Sequence, residues 1–166
     1  MIKNNLIFLT LFFLLSCSAI DFSYNKDMDI TNPIYNKVGY FFSGKEIVGI
    51  YGFASVSLGK NKTPQYRLDI NIKEEKTKKS VNTNQVVSKI DYNLTFSYLL
   101  KNISTDCVVY KEEIVSRFSY TPKSSGENFG SDISLEKKYE LVGIENLSMF
   151  LKNINGRPLN ICVDEN

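Results

Sequence analysis

The chain has no histidine and no tryptophan among its 166 residues. Without histidine it lacks the side chain that most often serves as general base or metal ligand near neutral pH. Ser-His-Asp and Cys-His catalytic arrangements are therefore excluded. Cysteine is scarce: Cys17, Cys107 and Cys162 are the only three, too few for a cysteine-only structural zinc site. No Gly-rich phosphate loop of the Walker or Rossmann type occurs. Neither charge sign dominates, and a net charge of +2 makes no electrostatic case for general nucleic-acid binding. The acidic pairs Glu74-Glu75 and Glu112-Glu113 are chain neighbours, which on a strand point to opposite faces. They read as solvated edges and not as an acid/base pair. No catalytic residue, metal or cofactor is assigned, and an enzyme is not expected; one would have to use Ser, Lys, Asp, Glu or Tyr alone.

What is present begins at the first residue. Lys3 gives a positive start, and an apolar run from Leu6 to Leu15 follows, broken only by Thr10. It ends in Leu14-Leu15-Ser16-Cys17. This is the layout of a secretory signal peptide over residues 1–16, too short to cross a bilayer, which takes about twenty apolar residues. The ending resembles the lipobox of bacterial lipoproteins. That resemblance implies that Cys17 becomes the mature N-terminus, with diacylglycerol on its sulfur and a further acyl chain on its amine. Several buried chains at ~0.8 kcal/mol per methylene make a long-lived anchor. The bland alternative is an ordinary cleaved signal in which Cys17 is incidental.

About 150 residues remain, enough for one domain with one core. Residues 17–36 are polar and unpatterned, with Asn32-Pro33 as a breaker, and read as a lipidated N-terminus and tether. Residues 37–166 read as a single α+β domain. Val38–Phe42 is a candidate strand. Ser43 and Glu46 have capping-box spacing, and Ile47, Tyr51, Ala54 and Leu58 recur at helical spacing. Gly49 and Gly52 weaken a helix there, so residues 47–58 are open to a helix or a strand reading.

Gln65–Lys73 alternates, with Tyr66, Leu68, Ile70 and Ile72 on one face, as a half-buried strand does. A polar loop over 74–84 carries Lys76, Lys78 and Lys79. Val86–Leu100 and Cys107–Tyr120 form two further strands joined by a turn at 102–106, an antiparallel hairpin. Residues 121–130 are a loop. Ser131 or Asp132 offers a helix cap, and Leu135, Tyr139, Val142, Leu147, Phe150, Leu151 and Ile154 give an apolar stripe, with Gly143 placed for close approach to the sheet. Gly156 and Pro158 end it. The expected fold is a two-layer sandwich: a mostly antiparallel four-stranded sheet with two helices on one face, in the order β-α-β-β-β-α. Cys107 and Cys162 are either a disulfide from the hairpin turn to the C-terminal tail or two free, partly buried thiols. An exported chain meets an oxidising compartment, but the sequence does not fix their distance.

A lipobox, a tether and this element order resemble the LPS-assembly lipoprotein LptE family. Tyr66-Arg67-Leu68-Asp69-Ile70 looks like that family's second strand, and residues 88–96, SKIDYNLTF, look like its central strand. Phe118-Ser119-Tyr120 before a polar loop is similar to its aromatic-Ser/Thr-Tyr-Asn pattern, with Thr121 where Asn is usual. Ile133–Ile154 resembles its closing helix in place and length. The resemblance implies a non-enzymatic plug and folding partner inside an LptD-like outer-membrane β-barrel, in contact with lipopolysaccharide and held by lipid on the periplasmic side of the outer membrane. Phosphate-bearing lipid favours cationic contacts, and Lys76, Lys78 and Lys79 are the candidates. The alternative reading is a stand-alone lipid-anchored domain that binds a lipid or small ligand in a cavity between sheet and helices.

Cys17→Ala is expected to abolish acylation and leave an uncleaved or mislocalised precursor. Fatty-acid labelling of cells checks this, and unchanged labelling contradicts it.

Overall fold

Alternation at period two in three long segments builds most of the structure. The computed structural model describes residues 32–81, 87–121 and 133–163. The signal peptide, Cys17, residues 18–31, the loop residues 122–130 and the cap candidates Ser131 and Asp132 lie outside them. The elements are β1 (Val38–Gly44), α1 (Val48–Leu58), β2 (Tyr66–Val81), β3 (Val87–Asn102), β4 (Cys107–Tyr120) and α2 (Leu135–Ile154). They form an α+β fold around a four-stranded sheet in the order β1-β2-β3-β4. β1 runs parallel to β2, while β2–β3 and β3–β4 are antiparallel. A parallel pair needs a crossover, and α1 supplies it.

The helix-bearing face of the sheet carries the alternating apolar residues. Leu68, Ile70, Leu94, Phe96 and Leu100 have no exposed surface. The long helix lies across them, with Phe150 stacked on Tyr98 at a centroid distance of 4.2 Å. Its apolar stripe is broken by one buried amide, Asn146. Asn146 Oδ1 accepts from Tyr98 Oη at 2.7 Å, and its Nδ2 donates to Ile114 O at 3.3 Å and Ser116 Oγ at 2.7 Å. All its polar atoms are partnered, so burial costs it little.

Four expectations are corrected in detail. First, β2 does not stop at Lys73 but continues to Val81, because β3 lies opposite it as far as Val81↔Val87. Pairing satisfies the backbone of this polar stretch, so Lys76, Lys78 and Lys79 stand on a strand and not in a loop. Second, residues 47–58 resolve as a helix, but without the expected cap. Ser43 belongs to β1, where its Oγ accepts from Asn71 Nδ2 at 2.9 Å, and Ile47 at the helix start makes no side-chain cap bond. Ile50 takes the buried place expected of Tyr51, whose ring turns to Phe42 at 4.7 Å.

Third, α2 is capped by Ser134, whose Oγ accepts from Lys137 N at 3.1 Å. Its Gly143 approaches α1 and not the sheet: a Cβ there would lie 3.3 Å from Ile50 Cδ1 and 3.4 Å from Ile47 Cγ2. Fourth, a bulge between Leu100 and Lys101 pairs them with Tyr110 and Val108. Val109 is the extra residue and joins the main core cluster, while Val108 is buried apart from it.

The end of the expected tether is part of the body. Ile34 is fully buried, Asn36 N donates to Leu58 O at 2.9 Å, and Asn32 Nδ2 donates to Ser57 O at 2.7 Å. These bonds satisfy carbonyls at the C-terminus of α1 that a helix leaves open. At the other end of the chain Cys107 and Cys162 are joined, with Cα atoms 5.6 Å apart and a sequence separation of 55. The link holds the tail beside β4, where Val163 N donates to Val108 O at 2.7 Å.

Closing a loop of that length is worth about 4 kcal/mol in the chain-entropy account. Cys107→Ser with Cys162→Ser is expected to lower unfolding stability by up to about that amount, read as a shift of the urea midpoint. An unshifted midpoint contradicts it.

Candidate functional site

The long strands run on past the middle of the sheet, and their far end gathers aromatic rings and lysines on the helix-bearing face. Tyr92 of β3 and Phe118 of β4 are cross-strand partners, and their rings stack at 4.8 Å. Tyr139, in the second turn of α2, meets both edge-on at 5.6 Å and 5.2 Å. Three ammonium groups stand over these and a neighbouring ring: Lys45 over Tyr139 at 4.9 Å, Lys76 over Tyr92 at 5.5 Å and Lys138 over Tyr120 at 5.8 Å. Lys138 Nζ also donates to Ser119 O at 2.9 Å.

One carboxylate sits among them. Glu74 pairs with Lys76 at 2.9 Å with only 14% of its side chain exposed, and accepts a hydrogen bond from Tyr139 Oη. It is therefore not the solvated edge expected from its sequence. Burial opposes its ionisation, but the bonds from Tyr139 and Lys76 and the charge of Lys45 outweigh this and hold its carboxyl below the usual range. Burial first, and then the bond to Glu74, push the Tyr139 phenol well above its ordinary value. The cluster thus holds three cations and one anion at neutral pH, seated on aromatic faces that strengthen them by cation–π attraction. It suits an anionic or amphipathic partner.

The three expected lysines do not come together. Lys76 and Lys78 pair with Tyr92 and Ile90 of β3 and share the helix-bearing face. Lys79, at a register shift, pairs with Asp91 at 3.6 Å. Asp91 belongs to a shallow groove on the opposite face, lined by Thr77, Asn93, Arg117 and Ser119 among others. The groove's polar groups are spent on one another: Ser119 Oγ donates to Asp91 at 2.7 Å and Arg117 Nε to Asn93 at 3.3 Å. Sequence reasoning missed Lys45, Lys138 and Glu74: Lys45 and Glu74 meet through Tyr139 of the distant α2, and Lys138 reaches back from α2 to Ser119 and Tyr120 of β4. Among the described residues no group of three or more carboxylate or cysteine side chains is placed to hold a metal.

Between the sheet and α2 the space is filled by Phe96, Tyr98, Leu147 and Phe150, all fully buried or nearly so. No family model and no curated protein matches the chain. Solved structures do. A protein of Caulobacter crescentus described as a lipoprotein aligns with a TM-score of 0.51 at 10% identity, over 72% of this chain and 88% of that one. The chain shares its fold with this protein. Rare lipoprotein B of Shewanella oneidensis aligns at 0.46 and 10% identity over 71% of this chain and 96% of its own. An uncharacterised lipoprotein B of Nitrosomonas europaea aligns at 0.49 and 12% identity over 73% and 83%.

The Glu74–Tyr139 bond has a definite pH signature. A carboxyl held below its ordinary value of 4.5 stabilises the fold fully above that value, and this stabilisation fades as pH falls through the folded value. Tyr139→Phe is expected to cost about 1–2 kcal/mol at neutral pH and progressively less as pH falls below 4.5 through the folded value. Urea unfolding over a descending pH series checks it, and a cost that does not shrink contradicts it.

Proposed function

We propose that this protein is a lipid-anchored envelope lipoprotein of the outer membrane, acting without catalysis as the partner of an LptD-like β-barrel in lipopolysaccharide transport. The observation that carries the reading is Leu14-Leu15-Ser16-Cys17 after an apolar run, ahead of a fold shared with a bacterial lipoprotein. The Cys107–Cys162 link agrees with an oxidising compartment.

In this reading the aromatic–lysine end is the working surface. Large rings are favoured at protein interfaces, and ammonium groups suit phosphate-bearing lipid. Lys76 and Lys78 are the proposed lipopolysaccharide contacts, aided by Lys45 and Lys138. Lys79 is engaged on the other face and joins them only if β2 rearranges near Val81.

The expected outcome of gentle detergent extraction of outer membranes is co-purification with a large β-barrel protein. Recovery of the acylated protein with no such partner contradicts the reading. Lys78→Glu, at an exposed position of the same face, is expected to weaken lipopolysaccharide retention by this protein while leaving its thermal unfolding close to that of the parent.

A further inference from the structure

Helix α1 has the sequence VGIYGFASVSL and carries no charged residue. A helix that is apolar on all sides is normally covered on all sides. Here only one side is covered: Ile50, Ala54, Ser57 and Leu58 are buried. On the outer side Val48 is 83% exposed, Val56 55% and Tyr51 43%. Gly52 lies between them with open space above it, so the outer face is smooth as well as uncharged.

Three observations indicate what covers it. The chain arrives at this helix: Asn32 and Asn36 are bonded to the carbonyls of Ser57 and Leu58, so residues before Asn32 lead away from the C-terminal end of α1. Cys17 is fifteen positions earlier, a reach of at most about 50 Å. Second, exposed lysines stand just past the helix end, at Lys60 and Lys62. Asn61 between them donates to Asn36 O at 2.5 Å, so they and the arriving chain are held together. Third, the chemistry of the alternative is wrong: the interior of a transmembrane barrel is polar, and an uncharged Val-Gly-Val face gains nothing there.

We propose that the outer face of α1 lies on the bilayer surface to which the chain is anchored, with Lys60 and Lys62 toward anionic headgroups. The proposal rests on the lipid-anchor reading above and not on the barrel partner. An apolar helix face buried at the headgroup boundary, with cations beside it, is a known form of interfacial contact. Its role here is orientation. Acyl chains at one end of the chain limit distance but do not set attitude, and a second contact fixes which side of the body faces the membrane. The aromatic–lysine end is then presented in one direction.

The chain's lack of tryptophan makes a single introduced indole a clean reporter. The acylated full-length protein, carrying Val56→Trp, is reconstituted in vesicles of phosphatidylethanolamine with a minority of phosphatidylglycerol, with and without brominated acyl chains. Val115→Trp, on the opposite face of the sheet and 44% exposed at present, is the control. Expected is a blue-shifted emission at position 56, quenched at least about twofold by brominated lipid, with neither effect at position 115. Protein that co-floats with the vesicles but shows no quenching at position 56 overturns the proposal and leaves the anchor intact. Absence of acyl groups on Cys17 by mass spectrometry overturns the anchor and the proposal together. Val48→Trp, one helix face but two turns away, serves if Val56→Trp unfolds.

Discussion

Where α2 lies on the sheet is decided by one amide. Apolar side chains tolerate small rotations and shifts of a helix, since dispersion and burial have little directionality. The three hydrogen bonds of Asn146 do not. They bind one position of α2 to Tyr98 of β3 and to both Ile114 and Ser116 of β4. A shift of α2 would strand a buried amide, a buried phenol and a buried carbonyl together. The positions of Phe150 on Tyr98, of Gly143 against α1 and of Tyr139 over Tyr92 all follow from that constraint.

The same constraint links the core to the surface chemistry. Tyr139 is two turns from Asn146, and its hydroxyl reaches Glu74 only because the helix is held at this rotation. Glu74 in turn holds Lys76. The exposed lysines of the aromatic end are therefore arranged by a chain of bonds that begins in the interior. Three of the rings involved are tyrosines, whose apolar bodies fill the sheet face while their hydroxyls or π-faces serve polar neighbours.

How much of this was legible in the sequence depends on the range of the signal. Strand alternation is local, and Tyr66–Ile72, Tyr92–Leu100 and the hairpin turn before Cys107 could be read directly. Residues 74–81 could not: all but Val81 are Glu, Lys, Thr or Ser, and only the opposite strand shows that they continue the ladder. The bulge at Val109 is likewise a property of pairing and leaves no local mark. The apolar residues of α1 recur at helical spacing, but a helix without a polar side does not show which of them, Ile50 or Tyr51, faces inward. Ser43 and Glu46 had the spacing of a capping box but served β1 and its turn. The aromatic–lysine cluster draws on residues from Lys45 to Lys138, and no window of sequence contains it. Lys76, Lys78 and Lys79 were grouped by adjacency, which the strand's alternation and a register shift undo.

The parallel pairing of β1 with β2 carries a consequence for biogenesis. β1 precedes its crossover helix, and among the described strands its hydrogen-bonding neighbour is β2. In a chain that is made N-terminus first, this strand waits without a template until residues more than twenty positions later have emerged and begun a hairpin with β3. During that interval the aromatic side chains of Tyr40, Phe41 and Phe42 stand unshielded, which makes the first strand the part of the sheet most open to wrong pairing.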